Sequence, residues 1–299
     1  MNIVNKAIVS FVKILPKPVV YIFAKKYIAG ITLQDAVKVV KELNAKGIMA
    51  TMDVLGESIQ NKREALEAKK ECLETLKVIY DNKLNANLSV KPTQLGLALD
   101  PDFCYTQLDE IITKAKELNN FVRIDMEDSS VTQVTIDVFN KLRQKHNNTG
   151  IVVQAYLRRT LDDVKTLDKS RTNYRLCKGI YVEPAEIAYK DRREVQDNYL
   201  AILKQMIDDG NYVGIATHDD YLVNGAKKIL KEKNLDKSKY EFQMLYGVKE
   251  NLRDKINAEG HKVRIYVPYG EQWYAYSVRR LKENPQLAWY ITKSVFGLG

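Results

Sequence analysis

Arg279 and Arg280 stand side by side in the run EQWYAYSVRRLKENP, one helical turn after Tyr276 and one before Glu283. Offsets of three, four and seven residues put all four side chains on one face of a helix. Guanidinium forks match a carboxylate or phosphate with two parallel hydrogen bonds, so the pair reads as an anion clamp. Glu283 is spaced to hold one arginine in place. The same spacing fits an exposed, salt-bridged helix face equally well, and spacing alone does not choose.

Polar groups also collect at the ends of β-rich runs. The first run carries Asp53 and Glu57, the second Lys91, and the third Asp125, Glu127 and Asp128. The fourth carries Gln154 and the fifth Arg175, Lys178 and Gly179. Thr217, His218 and Asp219 end the sixth, Gln243 lies in the seventh, and Arg264 and Tyr266 lie in the eighth. Strands buried between a barrel interior and helices do not carry so many charges unless these meet a ligand or one another. A structural ion pair or a solvated rim charge is an ordinary account of any single residue. A whole ring of them points to a site.

The elements that would position this ring are regular. The runs are 48–56, 86–96, 121–127, 150–157, 173–181, 212–218, 240–247 and 262–270. Between them lie amphipathic stretches such as EALEAKKECLETLKVIY, LDEIITKAKELNN and VQDNYLAILKQMIDDG, apolar at helical spacing. Eight strands alternating with helices predict an α/β fold of the (β/α)8, TIM-barrel type, whose active site forms at the C-terminal strand ends. An open doubly wound sheet is the competitor, but no GxGxxG or Walker A motif is present. The expected organisation is one domain, with 1–47 an N-terminal helical segment packed on a barrel of 48–299.

The chain has 299 residues, of which 45% are hydrophobic and 28% charged, which excludes wholesale disorder and a polytopic membrane protein. Lys and Arg exceed Asp and Glu by nine, which favours an anionic partner without naming it. Three scattered cysteines, Cys72, Cys104 and Cys177, give neither a disulfide framework nor a metal knuckle, and a reducing cytosol is the simplest reading. His146, His218 and His261 are too dispersed for a zinc site, so no metal is expected. Near the N-terminus, Lys6, Lys13, Lys17, Lys25 and Lys26 interrupt the apolar runs, so neither a spanning helix nor a signal peptide is expected. Two cationic amphipathic segments joined at Pro16 and Pro18 remain. They suit packing on the main domain or contact with anionic lipid.

Three other chemistries fit parts of this pattern. A Schiff-base lyase on a TIM barrel would use Lys91 or Lys178 as nucleophile, with the arginines on a phosphate. A metal-dependent hydrolase would use Asp53, Glu57 and Asp125. A nucleic-acid binder is suggested by charge alone, but the basic residues are spread along the chain with no recognised motif.

The ordered set VKPTQLGL, RIDMED, VVQAYLRRT, YRLCKGIYVEP, ATHDD, EFQMLYGV and RIYVPYGEQWYAYSVRRLKENP resembles the FAD-dependent proline dehydrogenase family, in size its monofunctional bacterial members. The resemblance covers nearly the whole chain. It implies a distorted (β/α)8 barrel with added N-terminal helices and a last helix packed over the barrel mouth. It implies tightly but non-covalently bound FAD, oxidation of L-proline to 1-pyrroline-5-carboxylate, and electrons passed to a membrane quinone. No aldehyde dehydrogenase module is expected within the chain, so the next catabolic step would lie on another protein. A cytoplasmic enzyme that visits the inner face of an anionic membrane fits the basic charge.

The resemblance assigns Arg279, Arg280 and Lys91 to the proline carboxylate, and Tyr266, Tyr276 and Leu245 to the pyrrolidine ring. Asp125 and Arg175 match polar active-site residues. Met126, Gln154, Arg175, Lys178, Gly179, Ile180, Thr217, His218 and Gln243 match flavin-contacting positions, and Glu283 the partner of the second arginine at that site. Cys177 replaces a commonly aliphatic residue and Ile180 a commonly small one. Asp125 is expected to orient Lys91 or to act on the amine. Arg175 is expected to stabilise reduced flavin or to pair with a barrel carboxylate.

Overall fold

A computed structural model describes residues 20–21, 24–56, 59–167 and 171–283, with side chains to residue 278. Helix α1 (Leu33–Ala45) precedes strand β1 (Met49–Val54). Then come α2 (Lys62–Asp81), β2 (Ala86–Val90), α3 (Pro101–Glu117), β3 (Val122–Ile124), α4 (Ser129–Arg143) and β4 (Thr149–Gln154). The second half runs α5 (Thr160–Thr166), β5 (Asn173–Cys177), α6 (Arg192–Asp208), β6 (Tyr212–Ala216), α7 (Asp220–Glu232), β7 (Tyr240–Leu245), α8 (Glu250–Ala258), β8 (Val263–Tyr269) and α9 (Trp273–Glu283).

The eight strands pair in parallel and in chain order, and β8 closes on β1 with Asp53 opposite Pro268. This is the expected barrel. Each strand lies within its predicted run, except that β4 begins one residue earlier, at Thr149. The strands end before the polar residues that close several runs, so Lys91, Asp125, Lys178 and Thr217 stand just past regular pairing.

Alternation along each strand sorts side chains to two surfaces. The outer set includes Met52, Leu88, Ile124, Val153, Leu176, Ile215, Phe242 and Ile265, packed in one apolar core with the inner stripes of the helices. In α2 that stripe is Ala68, Cys72, Leu76 and Ile79, spaced three and four apart. Asn61, Asp100, Asp128, Asp191 and Asp219 each cap the helix that follows by accepting a backbone N–H.

The inner surface is polar. At the floor, Arg264 Nε donates to Glu241 Oε1 at 2.7 Å, and its NH1 reaches across to Asn87 Oδ1 at 3.0 Å. Tyr212 donates to Glu241 Oε2 at 2.8 Å, and Gln243 Nε2 to Glu241 Oε1 at 2.6 Å. Burial alone would push the Glu241 carboxyl up, but Arg264, Tyr212 and Gln243 outweigh it and bring it down to about 2.

That depression gives a pH signature. A carboxylate held below its ordinary value of 4.5 adds stability that is present above that pH and lost as pH falls towards about 2. The urea midpoint is therefore expected to drop between about pH 5 and about pH 3, and Glu241→Gln to be destabilised at pH 7 but flatter over that acid range. An equally steep acid decline in the variant would assign the loss to other carboxylates.

Candidate active site

A cavity of about 550 Å³ opens at the C-terminal ends of the strands, within the range of small-molecule sites. Lys91 from the end of β2 and Asp125 with Met126 after β3 form one wall. Gln154 ends β4, and Arg175 in β5 with Lys178, Gly179 and Ile180 beyond it forms the adjoining wall. Thr217 and His218 follow β6, and Gln243 and Leu245 come from β7. Tyr266 of β8 and Tyr276 of α9 complete the lining. The described residues assigned to substrate and flavin are thus all brought together, whereas Asp128 and Asp219 cap helices, Arg264 lies at the barrel floor and Asp53 stands behind Lys91. Arg279, Arg280 and Glu283 continue α9, but their side chains lie outside the described residues. Glu57 and the lysines Lys6, Lys13 and Lys17 also lie outside them.

Asp125 organises the floor of the cavity. Its Oδ1 accepts from Arg175 NH1 at 2.7 Å and from Ser89 Oγ at 2.7 Å. Its Oδ2 accepts from the Tyr266 hydroxyl at 3.0 Å. Arg175 Nε donates to Gln243 Oε1 at 2.6 Å, and its guanidinium lies 5.2 Å from the Tyr266 ring centroid. Of the two expectations for Arg175, pairing with a barrel carboxylate is the one seen. Burial pushes the Tyr266 hydroxyl well up, aided by the Asp125 and Asp53 carboxylates, so the phenol stays a neutral donor.

Asp125 is not the partner of Lys91. The ammonium donates to both oxygens of Asp53, at 2.6 and 2.7 Å, and to the Tyr266 oxygen at 3.4 Å. Parallel pairing explains this: Asp53 of β1 lies opposite Ser89 of β2, two residues before Lys91. Burial pushes the Asp53 carboxyl above its usual range, and Lys91 pulls against that. A lysine held by a carboxylate favours its ammonium form, which is no nucleophile, so the Schiff-base chemistry loses its first candidate.

The rest of the rim is fixed by local bonds. Gln154 Nε2 donates to the Glu127 carbonyl at 2.7 Å, and Thr93 donates its N–H and hydroxyl to the Glu127 carboxylate. His218 Nε2 accepts from Leu245 N at 2.8 Å, which leaves the ring proton on Nδ1. Lys178 faces Asp219 at 3.6 Å and stays half-exposed. Gly179 has φ +107°, and a Cβ there would run into the Tyr156 ring. Burial pushes the Cys177 thiol up to about 11, so it meets the cavity as an unreactive thiol.

Two residues of the site, Tyr181 and Ser89, are not singled out by the sequence. Tyr181 lines the cavity from the loop after β5, where no periodicity marks it. Ser89 donates to Asp125, and its signal is its place on the polar face of β2. Asp53 stands out in the sequence, but as a strand-end carboxylate and not as the partner of Lys91. Among the described residues no group of acidic, histidine or cysteine side chains is arranged to hold a metal, so Asp53 and Asp125 are partners of cations instead.

Residues 36–289 match the proline dehydrogenase family. Over 272 residues the chain is 37% identical to proline dehydrogenase 1 of Bacillus subtilis strain 168, covering 91% of this chain and 90% of that one. It is 35% identical over 277 residues to the proline dehydrogenase of Deinococcus radiodurans, covering 91% and 89%. The crystal structure of proline utilization A from Bdellovibrio bacteriovorus inactivated by N-propargylglycine superimposes with a TM-score of 0.83 at 27% identity. That match covers 87% of this chain and 32% of the larger one.

The Lys91–Asp53 pair can be weighed directly. Asp53→Asn leaves a buried ammonium without its carboxylate, so unfolding free energy is expected to fall by about 3–5 kcal/mol. Lys91→Met combined with Asp53→Asn should recover most of that loss. Simple additivity of the two substitutions in urea unfolding would show that the pair is not coupled.

Proposed function

The chain belongs to the proline dehydrogenase family, and on that premise we propose that it oxidises L-proline to 1-pyrroline-5-carboxylate with tightly, non-covalently bound FAD. The electrons would pass to a membrane quinone, as the first step of proline breakdown to glutamate. The observation that carries this reading is the cavity that sets the cations Lys91, Arg175 and Lys178 beside the aromatic faces of Tyr181, Tyr266 and Tyr276.

Those residues suit both ligands. A small cyclic amino acid offers a carboxylate to cations and an apolar ring to aromatic faces. Lys91, held by Asp53, would meet the carboxylate, and the family resemblance gives Arg279 and Arg280 the same part. Tyr266, Tyr276 and Leu245 would pack the ring and fix which carbon is presented. The donor set on the adjoining wall also fits a flavin. Arg175 and Lys178 give that wall a positive potential, matching a ring system that gains negative charge on reduction. Gln154, Thr217, His218 and Gln243 supply polar contacts for it, Met126 and Ile180 supply apolar area, and the Gly179 turn lets the backbone approach. Glu283 would hold one of the α9 arginines. Bound FAD would supply the two-electron acceptor. The side chains bind, orient and exclude water.

That Asp125 accepts from three donors supports a role in fixing Arg175 and Tyr266. The reading extends to location: a single-domain cytoplasmic protein whose basic charge favours the inner face of an anionic membrane, where quinone is reached. Among the described residues no helix is long and apolar enough to cross a membrane.

The visible spectrum of the purified protein tests the proposal. A flavin spectrum that bleaches when L-proline is added without air is the expected result. A flavin spectrum that does not bleach would mean another amine substrate, and a colourless protein that takes up no added FAD would overturn the reading. Asp125→Asn sets an amide where three donors converge, so turnover should fall by at least tenfold while the flavin spectrum is retained. Unchanged turnover across the pH range would remove Asp125 from the site.

A further inference from the structure

Helix α9 is fastened by an apolar cluster separate from the main core. Trp273, Tyr276 and Val278 pack with Ala24, Tyr27, Ile28 and Leu55, and all of these side chains are buried. Tyr276 belongs both to this cluster and to the lining of the cavity. Residues 24–30 are themselves pinned on two sides. Ala29 N donates to the Pro268 carbonyl at 2.9 Å, and Gly270 N to the Gly30 carbonyl at 3.2 Å, which ties the segment to the end of β8. On the other side the Lys26 carbonyl lies against Gly247, in the turn after β7, so closely that any Cβ there would collide with it.

We propose that residues 24–30 are a clasp that positions α9 over the cavity, and that Ala24 and Ile28 thereby set how tightly the site holds its carboxylate substrate. The inference rests on the proposed proline oxidation only for its kinetic readout. The segment meets α9 through apolar contact and meets the barrel through backbone hydrogen bonds. Movement of the segment therefore shifts Tyr276 and the residues one turn beyond it, while Lys91, Asp125 and Arg175 stay on the strands. Substrate affinity should then change more than the rate at saturation, because misplaced binding groups on α9 leave the floor intact.

Two substitutions outside the cavity test this. Gly247→Ala drives a methyl into the Lys26 carbonyl at φ +71°. Gly210→Ala is its control, since Gly210 has φ +77° with nothing within 4 Å of its Cβ, and so carries similar backbone strain without the collision. Ile28→Ala opens the cluster from the other side. Gly247→Ala and Ile28→Ala are expected to raise KM for L-proline about tenfold with kcat within about twofold and flavin content unchanged. Amide hydrogen exchange over 273–278 should quicken in both while the strands stay protected, and Gly210→Ala should show neither change. Parallel losses in KM and kcat, or α9 exchange no faster than in Gly210→Ala, would overturn the clasp. Should Ile28→Ala fail to fold, Gly247→Ala against its control decides alone. Should the parent protein fail to be reduced by L-proline, the proposed reaction falls, and the exchange comparison still decides the clasp.

Discussion

The Asp125 carboxylate takes hydrogen bonds from Arg175, Ser89 and Tyr266, side chains carried by β5, β2 and β8. One anion thus ties together strands from opposite sides of the barrel. Below it the chain of contacts continues through Gln243 to Glu241 and Arg264, and above it through Tyr266 to Lys91 and Asp53. The interior is a connected polar column where many barrels place branched apolar residues. In a low-dielectric interior such a network is costly when one member is missing and rigid when all are present. Replacing buried ion pairs by apolar residues is often neutral for stability, so the column is better understood as a device for position than for stability.

That distinction bears on the site. A lysine or arginine on a flexible stem has many rotamers, and fixing one costs entropy at the moment of binding. Here the cost falls on folding. Lys91 is set by Asp53, Arg175 by Asp125 and Gln243, and Gln243 by Glu241 in the layer beneath. A ligand meets cations already in place, which is the condition under which electrostatic contacts discriminate well. The apolar core contributes from the other side of the same strands, where Met52, Ile124 and Leu176 hold the wall against the helices.

The strands were legible because alternation is a local property, and the inward polar set could be recognised residue by residue. Pairings between strands were not. Asp53 and Asp125 are both carboxylates near the end of a strand, and only the register, which sets Asp53 against Ser89, shows which one meets Lys91. A period of two assigns a face but not a neighbour. Tyr181 closes the fifth run and its motif, but β5 ends at Cys177, and only the folded loop shows that its ring joins Gly179 and Ile180 in the cavity. The contact of Ala24 and Ile28 with Trp273 joins segments far apart in the chain, which no local pattern encodes.

The two apolar clusters divide the molecule in a way that matters for binding. Contacts of α9 with residues 24–28 can loosen without disturbing the core that holds the strands, because the clusters share no buried member. The polar column, by contrast, cannot lose a charged member such as Asp53, Asp125 or Arg175 without leaving that residue's partner uncompensated in the interior. The cavity thus has a charged floor carried by the strands and one lining residue, Tyr276, carried by a separately fastened helix. Lys91, Tyr266 and Leu245, which also line it, belong to the strands or their ends. The residues that would orient a ligand therefore come from two parts of the molecule held by different forces, hydrogen bonds and ion pairs in the floor and apolar contact in α9.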